Sequence, residues 1–354
     1  MAIQVPSNKT ESPFDLTGAE WERLLPRERN ARLRKAFRYW RERGFPYYRL
    51  SRQEMRAELR ALAAIDARQV IRGVQIHGSH AAIRLANCFH PQMWSVRVSR
   101  YKSPMECFRD DDCLMAVIQR AFRIWPERHG ANASCLRRML KSFSNCAAVS
   151  NFRPVVARAM IEKFSAEGET VVDFAAGYGG RLVGCLSLPR HYIGMEPCSA
   201  QVRGLRRCVD VIRSLGIVPG SAEIHEACAE DELAKLPPKS TGLVFSSPPY
   251  FDWEKYSKQG TQSFIRYKTY PAWVENFLRP VVSESHRILA KGGYLAINTP
   301  NGDSRLSIFE DVRQAAKKSG FRVYRTYKLK LSKVPYLHPR NGKGKWEIVA
   351  VFKK

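Results

Sequence analysis

Residues 246–251 (SSPPYF) combine the side chains in this sequence that are best placed to act on another molecule. Two consecutive prolines fix φ and hold the backbone extended, so the neighbouring carbonyl groups point in set directions. The Ser247 hydroxyl and the Pro248 carbonyl could accept hydrogen bonds from an amino group and draw its nitrogen toward tetrahedral geometry. Tyr250 could stack on a ring that carries this amine. The string therefore favours chemistry at a weakly nucleophilic amine.

Ser247 is too weakly acidic to serve as a general base. The pattern thus predicts catalysis by positioning and lone-pair release, with the proton lost during or after the transfer. The candidate catalytic residues are Ser247, Pro248, Pro249 and Tyr250.

A glycine-rich turn, VVDFAAGYGGR at 171–181, follows a hydrophobic run. Without Cβ atoms, Gly177 and Gly179 let the backbone turn sharply and approach a ligand closely. The dinucleotide pattern GxGxxG is not met, because Leu182 stands where its third glycine would be. Asp173 at the strand end suits an ammonium or amide donor better than a pyrophosphate.

Glu196 ends the next predicted strand, about 20 residues after the turn. A carboxylate in this position can accept hydrogen bonds from two ribose hydroxyls. The pair of features favours an adenosine-containing cofactor with an unphosphorylated ribose, and S-adenosylmethionine (SAM) and NAD both qualify.

Alternating strands and helices from about residue 150 would position these groups. The predicted strands are 170–174, 191–195, 222–225, 242–246, 293–298, 321–331 and 346–353, with helices at 202–212 and 271–290. Pro280 should kink the second of these helices. Repeated βα units predict a parallel sheet covered by helices on both faces, with ligands at the carboxyl ends of the strands.

Residues 151–354 resemble the amino-methylating DNA methyltransferases, whose catalytic signature is [D/N/S]PP[Y/F/W]. The resemblance implies a Rossmann-like class I methyltransferase fold and SAM as the cofactor. It also implies that the segment 151–154 packs over the methionine end of SAM. The implied cofactor-binding residues are Phe152, Pro154, Asp173, Ala175, Gly177, Gly179, Glu196 and Cys228. Cys228 departs from the family, which commonly has Asp there to contact adenine; Glu230 and Asp231 are nearby.

The Ser form of the signature is more typical of enzymes that make N4-methylcytosine, so cytosine N4 in DNA is the expected target. Adenine N6 in DNA is the first alternative, and an RNA base amine is the second. A different class of protein, a DNA-binding protein with a degenerate catalytic fold, is disfavoured by the intact glycines and SPPY. A duplex would have to present the base by flipping.

The long segment 250–271 is predicted to form a loop over the target base. Its candidate substrate contacts are Phe251, Asp252, Tyr256, Gln262 and Arg266, and Glu254 and Ser263 belong to the same group. Residues 151–354 leave no room for a target-recognition domain. Recognition therefore falls to the N-terminal part, and we expect a largely helical, basic domain at 1–148 and a catalytic domain at 149–354. The basic loop 329–345 contacts phosphates or is simply solvated.

The formal net charge of +26, from 59 Lys and Arg against 33 Asp and Glu, predicts a polyanionic partner such as DNA. The nine cysteines include no CxxC pair and no secretory signal precedes them, so we expect reduced thiols and a cytoplasmic, nucleoid-associated protein. We expect no metal site, because the combination of His90, Cys107 and Cys113 fits no standard zinc finger. No apolar run approaches the length of a membrane span. The sequence does not fix the oligomeric state.

Overall fold

The computed structural model describes residues 18–124, 132–141, 145–301, 306–331 and 346–354. Within these, the chain forms two compact units. The first comprises the described parts of 18–51 and 91–150, and the second comprises 52–90, 151–331 and 346–354. This division differs from the predicted boundary at 148, because residues 52–90 belong with the second unit.

Helices occur in both units. Their bounds are α1 (Gly18–Arg23), α2 (Pro26–Arg43), α3 (Arg52–Ala63), α4 (Ala67–Val70), α5 (Ile83–Cys88), α6 (Pro104–Arg109), α7 (Asp111–Ile124), α8 (Ala133–Leu140), α9 (Pro154–Phe164), α10 (Gly180–Leu186), α11 (Ser199–Ser214), α12 (Ala229–Glu232), α13 (Ser263–Arg266), α14 (Tyr270–Trp273), α15 (Arg279–Ile288) and α16 (Ile308–Lys318). No described helix is long and apolar enough to cross a membrane.

The strands are β1 (Ile71–Arg72), β2 (Gln75–Ile76), β3 (Arg97–Val98), β4 (Thr170–Asp173), β5 (His191–Met195), β6 (Ser221–His225), β7 (Thr241–Ser246), β8 (Glu254–Lys255), β9 (Leu289–Pro300), β10 (Arg322–Lys330) and β11 (Trp346–Lys353). Each of the seven strands predicted from the sequence is present, with bounds that differ by at most a few residues.

One large sheet organises the second unit, in the order β1-β2-β10-β11-β9-β7-β4-β5-β6. The strands from β9 to β6 are parallel to their neighbours, whereas β11 runs antiparallel to both β9 and β10. The predicted Rossmann-like, mostly parallel sheet is therefore confirmed. Beyond it, β2 pairs with β10 and extends the sheet with residues from the 52–90 segment.

The strand order reverses beside β4, because the chain passes from β4 to β5 and β6 on one side and to β7 and β9 on the other. In open sheets of this kind, ligands bind outside the carboxyl ends of the strands at the point of reversal. Asp173, Glu196 and Ser247 lie at or just beyond the carboxyl ends of β4, β5 and β7. The fold thus brings three of the predicted site residues to one edge.

Close helix packing supports this edge. A Cβ on Gly184 of α10 would lie 2.6 Å from the Cβ of Ala157 in α9, so these helices can approach only because residue 184 is glycine. A π-helical turn at Val274–Leu278 joins α14 to α15 directly ahead of Pro280, where a kink was predicted. Pro280 is the second residue of α15, which continues directly from this turn.

The first unit is largely helical in its described parts, as predicted. Trp21 stacks on Phe122 with ring centroids 4.5 Å apart, and Arg137 lies 4.2 Å from the centre of the Tyr48 ring while donating to the Pro46 carbonyl. Cys107 and Cys113 form a disulfide, so the prediction that all nine cysteines are reduced is wrong for these two. They stand six residues apart, a spacing that carries no disulfide signature.

Candidate active site

The glycine-rich turn joins β4 to α10, and its glycines are required for two different reasons. Gly177 and Gly179 have φ of 57° and 76°, which L side chains rarely adopt. Gly180 has no such constraint, but a Cβ there would lie 1.9 Å from the carbonyl oxygen of Phe152. The turn is therefore shaped by two positive φ angles and by one close backbone contact.

Asn151 fixes this contact through its side-chain amide. Its Oδ1 accepts from the Gly180 N–H at 3.1 Å, and its Nδ2 donates to the Tyr178 carbonyl at 2.8 Å and to the Asn87 amide at 2.9 Å. Phe152 and Pro154 follow, with Pro154 at the start of α9. The segment 151–154 thus lies against the turn.

Asp173 is completely buried at the end of β4. Arg181 Nε, Tyr192 Oη and Ser246 Oγ each donate to its carboxylate at 2.7 Å, and the Ala175 N–H approaches it at 3.3 Å. Protein donors therefore already surround the carboxylate that was expected to meet a cofactor amine. In this structure Asp173 positions other side chains.

Arg181 is the main residue that the sequence reasoning missed. Its guanidinium is buried, and it donates from Nη1 to Ser247 Oγ at 2.9 Å and from Nη2 to the Ala175 carbonyl at 2.5 Å. It lies 5.3 Å from the centre of the Phe152 ring. The sequence signal was the arginine that directly follows the paired glycines of the turn. Arg181 therefore links the glycine turn to residues 247–250 (SPPY), called the Pro-Pro motif below.

Ser247 and the prolines follow β7. The Ser247 hydroxyl uses one lone pair for Arg181, which leaves its own hydrogen and a second lone pair for another group. Ser247 and Pro249 are partly exposed, whereas Pro248 is buried. The motif therefore retains hydrogen-bonding capacity at the carboxyl edge of the sheet.

Tyr250 is hydrogen-bonded to Asn298, which in turn binds Glu347, and the sequence did not single out either residue. Asn298 in β9 donates from Nδ2 to Tyr250 Oη at 3.1 Å and to Glu347 Oε2 in β11 at 2.8 Å. Burial raises the pKa of Tyr250 well above its usual value, so the phenol remains neutral. Burial also raises the pKa of Glu347.

Glu196 ends β5 and is almost fully buried. The backbone N–H groups of Gly177 and Cys198 donate to its two oxygens at 3.0 Å and 2.9 Å. Burial raises the pKa of Glu196 to about 7, although these two hydrogen bonds act in the opposite direction. Glu196 is thus a carboxyl group beside the glycine turn that can change charge near neutral pH.

Cys228 precedes α12, and its thiol donates to the Thr261 carbonyl at 3.4 Å. The neighbouring Glu230 accepts from Tyr267 Oη at 3.0 Å and pairs with Arg266 at 2.8 Å. The segment after β6 therefore holds the 250–271 loop in place. A substrate role predicted for Arg266 is not favoured, because its guanidinium is engaged with Glu230 and Asp231.

The other predicted substrate residues are dispersed. Phe251 packs into the hydrophobic core with its ring 5.8 Å from Tyr270, so it shapes the loop from within rather than facing a base. Gln262 is buried, and Asp252 is partly buried. Tyr256 is the one that lies beside the glycine turn, with its ring 6.1 Å from that of Tyr178. The basic loop at 332–345 lies outside the described residues.

The described residues include no group of three or more His, Cys, Asp or Glu side chains that could hold a metal ion.

No protein-family model and no curated protein matches this chain. Solved structures similar to it include a TehB-like SAM-dependent methyltransferase from Corynebacterium glutamicum, with 15% identity, 58% of this chain and 90% of that chain covered, and a TM-score of 0.36. A SAM-dependent methyltransferase from Methanosarcina mazei has 12% identity, 55% and 96% coverage and a TM-score of 0.38. Geranyl diphosphate C-methyltransferase from Streptomyces coelicolor has 14% identity, with 56% of this chain and 78% of that chain covered, and a TM-score of 0.38.

The strand order of this chain itself defines the class of fold. Seven strands run β6-β5-β4-β7-β9-β11-β10, with β11 antiparallel to both of its neighbours, and a glycine turn follows the first of them in the chain. This is the Rossmann-like fold of class I methyltransferases. The described residues add to it a Ser-Pro-Pro-Tyr motif joined to the turn by Arg181.

Proposed function

We propose that this protein is a SAM-dependent methyltransferase that acts on an exocyclic base amine, with cytosine N4 in DNA as the preferred target. The observation that carries the proposal is the hydrogen bond from Arg181 to Ser247. It ties the turn expected to bind the cofactor to the motif expected to hold the amine. Two motifs that are 66 residues apart in sequence therefore form one site.

Glu196 fits the ribose of SAM. An ionised carboxylate has about four lone-pair positions, and backbone N–H groups use two of them. The remaining positions can accept the two ribose hydroxyls. Gly177 lies beside this carboxylate and presents backbone without a side chain, so a ligand can approach closely. When bound, SAM supplies a methyl group on a sulfonium sulfur.

The Pro-Pro motif fits the amine. The Ser247 hydroxyl keeps one free lone pair, and the Pro248 carbonyl is held rigidly by the following proline. Two acceptors near one nitrogen take its hydrogens out of the ring plane and free its lone pair for attack. Tyr250, neutral and anchored by Asn298, offers a ring on which the base can stack.

The charge of the chain fits a nucleic-acid partner. An excess of 26 positive charges attracts a polyanion, and a flipped base costs a few kcal/mol that stacking and phosphate contacts can offset. The first unit, with its arginine-rich helices, is our candidate for sequence recognition. A cytoplasmic, nucleoid-associated location and a role in restriction–modification belong to the same proposal.

Adenine N6 in DNA is the main alternative, because it differs from cytosine N4 only in the ring that carries the amine. An RNA base amine is the second, and a DNA-binding protein that has lost catalysis is the third. The intact glycine turn and its contact with Ser247 favour an enzyme over the last of these.

The decisive experiment incubates the protein with isotopically labelled SAM and unmodified DNA or RNA, followed by digestion to nucleosides and mass spectrometry. We expect labelled N4-methylcytosine from DNA. Labelled N6-methyladenine would move the assignment to adenine, and label in RNA alone would move it to RNA. SAM binding without label in any nucleic acid would favour the non-catalytic alternative.

A further inference from the structure

Glu254 lies in β8, within the 250–271 segment whose residues were predicted from the sequence as candidate substrate contacts. Tyr256 Oη donates a hydrogen bond to its carboxylate. Tyr178 of the glycine turn, Tyr250 of the Pro-Pro motif and Glu347 of β11 are all close enough to interact with it electrostatically. Through Tyr256, whose ring lies 6.1 Å from that of Tyr178, Glu254 is connected to the glycine turn, and it follows the Pro-Pro motif by four residues.

The surroundings of Glu254 contain polar atoms that lack partners. Among the described residues, Tyr178 Oη and Asn298 Oδ1 are buried without a hydrogen bond. Unpaired polar atoms cost free energy when they are removed from water, so these two atoms are available to hydrogen-bond a polar group that enters the site. The Asn298 amide oxygen belongs to the side chain that holds Tyr250.

Transfer of a methyl group to an amine requires a group that accepts a proton, and the Pro-Pro motif does not provide one. The nitrogen gains a bond to carbon while it still carries both hydrogens, so the product first forms as a cation. Ser247 is a poor proton acceptor and is already hydrogen-bonded to the Arg181 guanidinium. Asp173 is surrounded by donors and paired with Arg181. Glu196 lies on the ribose side, bound by two backbone N–H groups.

We propose that the Glu254 carboxylate is the catalytic group that accepts the proton of the methylated amine. The inference rests on the proposed function. The amine lone pair forms the N–C bond as the C–S bond breaks, and the sulfur keeps that electron pair and becomes neutral. An N–H bond of the resulting ammonium then breaks, its electrons neutralise the nitrogen, and the proton forms a carboxylic acid on Glu254. Solvent later removes this proton.

The electrostatic surroundings suit this role. The pKa of Glu254 is raised to about 7: burial raises it most, the hydrogen bond from Tyr256 lowers it, and the charge of Glu347 adds a smaller increase. The charge of Arg153 in turn lowers the pKa of Glu347. A general base is most effective when its pKa is near the working pH, so Glu254 is better matched than an exposed glutamate.

A purely structural role, in which Glu254 only anchors Tyr256, makes a different prediction. Glu254→Gln keeps an oxygen that can accept from Tyr256, so it preserves the anchor and removes the base. We expect kcat for methyl transfer to fall by about 10²- to 10⁴-fold, while the affinity for SAM stays within about twofold. Glu167→Gln, an exposed glutamate before β4, is the matched control and should leave kcat unchanged.

Two neighbours should move the pH profile in opposite directions. In the wild type, kcat should rise with pH through about 7, because the base must be ionised. Tyr256→Phe removes the hydrogen bond that stabilises the carboxylate and should move this rise to higher pH. Glu347→Gln removes a like charge and should move it to lower pH. A structural role would not produce these opposite shifts.

A readout independent of turnover is the carboxylic-acid band in infrared difference spectra, followed as a function of pH in the unliganded protein. Glu254 and Glu196 should both contribute to the band that titrates near neutral pH. The Glu254 part should be absent in Glu254→Gln, where the Glu196 part remains, and both parts should persist in Glu167→Gln. If Glu254→Gln retains wild-type kcat with the same pH profile, the inference is overturned while the proposed function stands. If the wild type methylates no nucleic acid, the proposed function itself fails, whatever the infrared result.

Discussion

Arg181 Nη1 donates to Ser247 Oγ at 2.9 Å while Arg181 Nε is held by Asp173 Oδ2 at 2.7 Å. One buried guanidinium therefore connects the end of β4, the glycine turn and the Pro-Pro motif. Its charge is balanced by a fully buried carboxylate, so the connection is rigid and does not depend on solvent. This link makes the spacing between the glycine turn and the Pro-Pro motif a property of the fold.

Replacement of Ser247 or Tyr250 by Ala should abolish methyl transfer and leave SAM affinity nearly intact. Both side chains are assigned to the amine, whereas the cofactor contacts are assigned to the turn and to Glu196. Single-turnover rates and equilibrium SAM binding, measured on the same preparations, separate the two effects. Loss of SAM binding in Tyr250→Ala would mean that the pocket is misassigned.

Ser247→Ala needs one further control, because it also leaves Arg181 Nη1 without its partner in a buried place. An unsatisfied buried donor costs about 1–3 kcal/mol. Ser247→Thr keeps a hydroxyl for Arg181 and should be more stable than Ser247→Ala in urea unfolding. Equal stability of the two variants would argue against the Arg181 contact.

Asp173→Ala should destabilise the protein strongly. It removes the counter-charge of a buried arginine together with the acceptor for Tyr192 and Ser246. Leaving one member of a buried ion pair alone costs about 3–5 kcal/mol. Ser246→Ala removes a single hydrogen bond to the same carboxylate and should cost only about 1 kcal/mol. Urea unfolding measures the loss of stability in both variants. A similar loss in Asp173→Ala and Ser246→Ala would contradict the buried ion pair between Asp173 and Arg181.

Gly180→Ala should disrupt the turn even though alanine is normally favoured in a helix. The new Cβ would lie 1.9 Å from the Phe152 carbonyl oxygen, and backbone on one side or the other has to move. We expect loss of stability by unfolding assays and weaker SAM binding. Gly260→Ala, where nothing lies within 4 Å of the added atom, is the matched control and should behave like the wild type.

The sequence predicts the strands of the main sheet because they are short apolar runs bounded by glycine, proline or charged residues. It also predicts that Asp173, Glu196 and Ser247 share one edge, since parallel strands in βα units end at the same side. These features depend on local pattern and on the chain order of the units. They require no knowledge of which side chains touch.

The missed features depend on tertiary packing. Asn298 and Glu347 meet because β9 and β11 pair in a register that sets Asn298 opposite Val349 and Glu347 opposite Pro300. β1 and β2 are two residues long, too short to show any periodicity, so their attachment to the sheet and the transfer of 52–90 to the second unit were not predictable. Phe251 was predicted to contact the substrate, but its side chain packs in the hydrophobic core.

Nucleic-acid binding should depend steeply on salt. Each phosphate neutralised by Lys or Arg releases counterions, and a protein with 6–10 such contacts loses about 10³- to 10⁵-fold in affinity between 50 and 200 mM salt. Filter binding or fluorescence anisotropy with the full chain and a duplex measures this slope. An affinity that does not change with salt would contradict the role assigned to the net charge of +26.

SAM affinity should depend on pH through Glu196. Burial raises the pKa of Glu196 to about 7, so the group is charged above neutral pH and protonated below it. Ribose hydroxyls donate to the charged form, and binding should therefore tighten as pH rises through 7 and should release a proton near that pH. Calorimetry in buffers of different ionisation enthalpy measures this proton.

Glu196→Gln should weaken SAM binding by about 10- to 100-fold, because hydrogen bonds to a charged acceptor contribute about 1.5–3 kcal/mol, and the pH dependence should disappear with the charge. Glu226→Gln, an exposed glutamate beyond β6, is the control and should retain both the affinity and its pH dependence. Wild-type affinity that is flat across neutral pH would remove Glu196 from the ribose site. If SAM affinity does not change with pH but methyl transfer is intact, the assignment of the Pro-Pro motif still holds. That motif is assigned to the amine, whereas Glu196 is assigned to the cofactor.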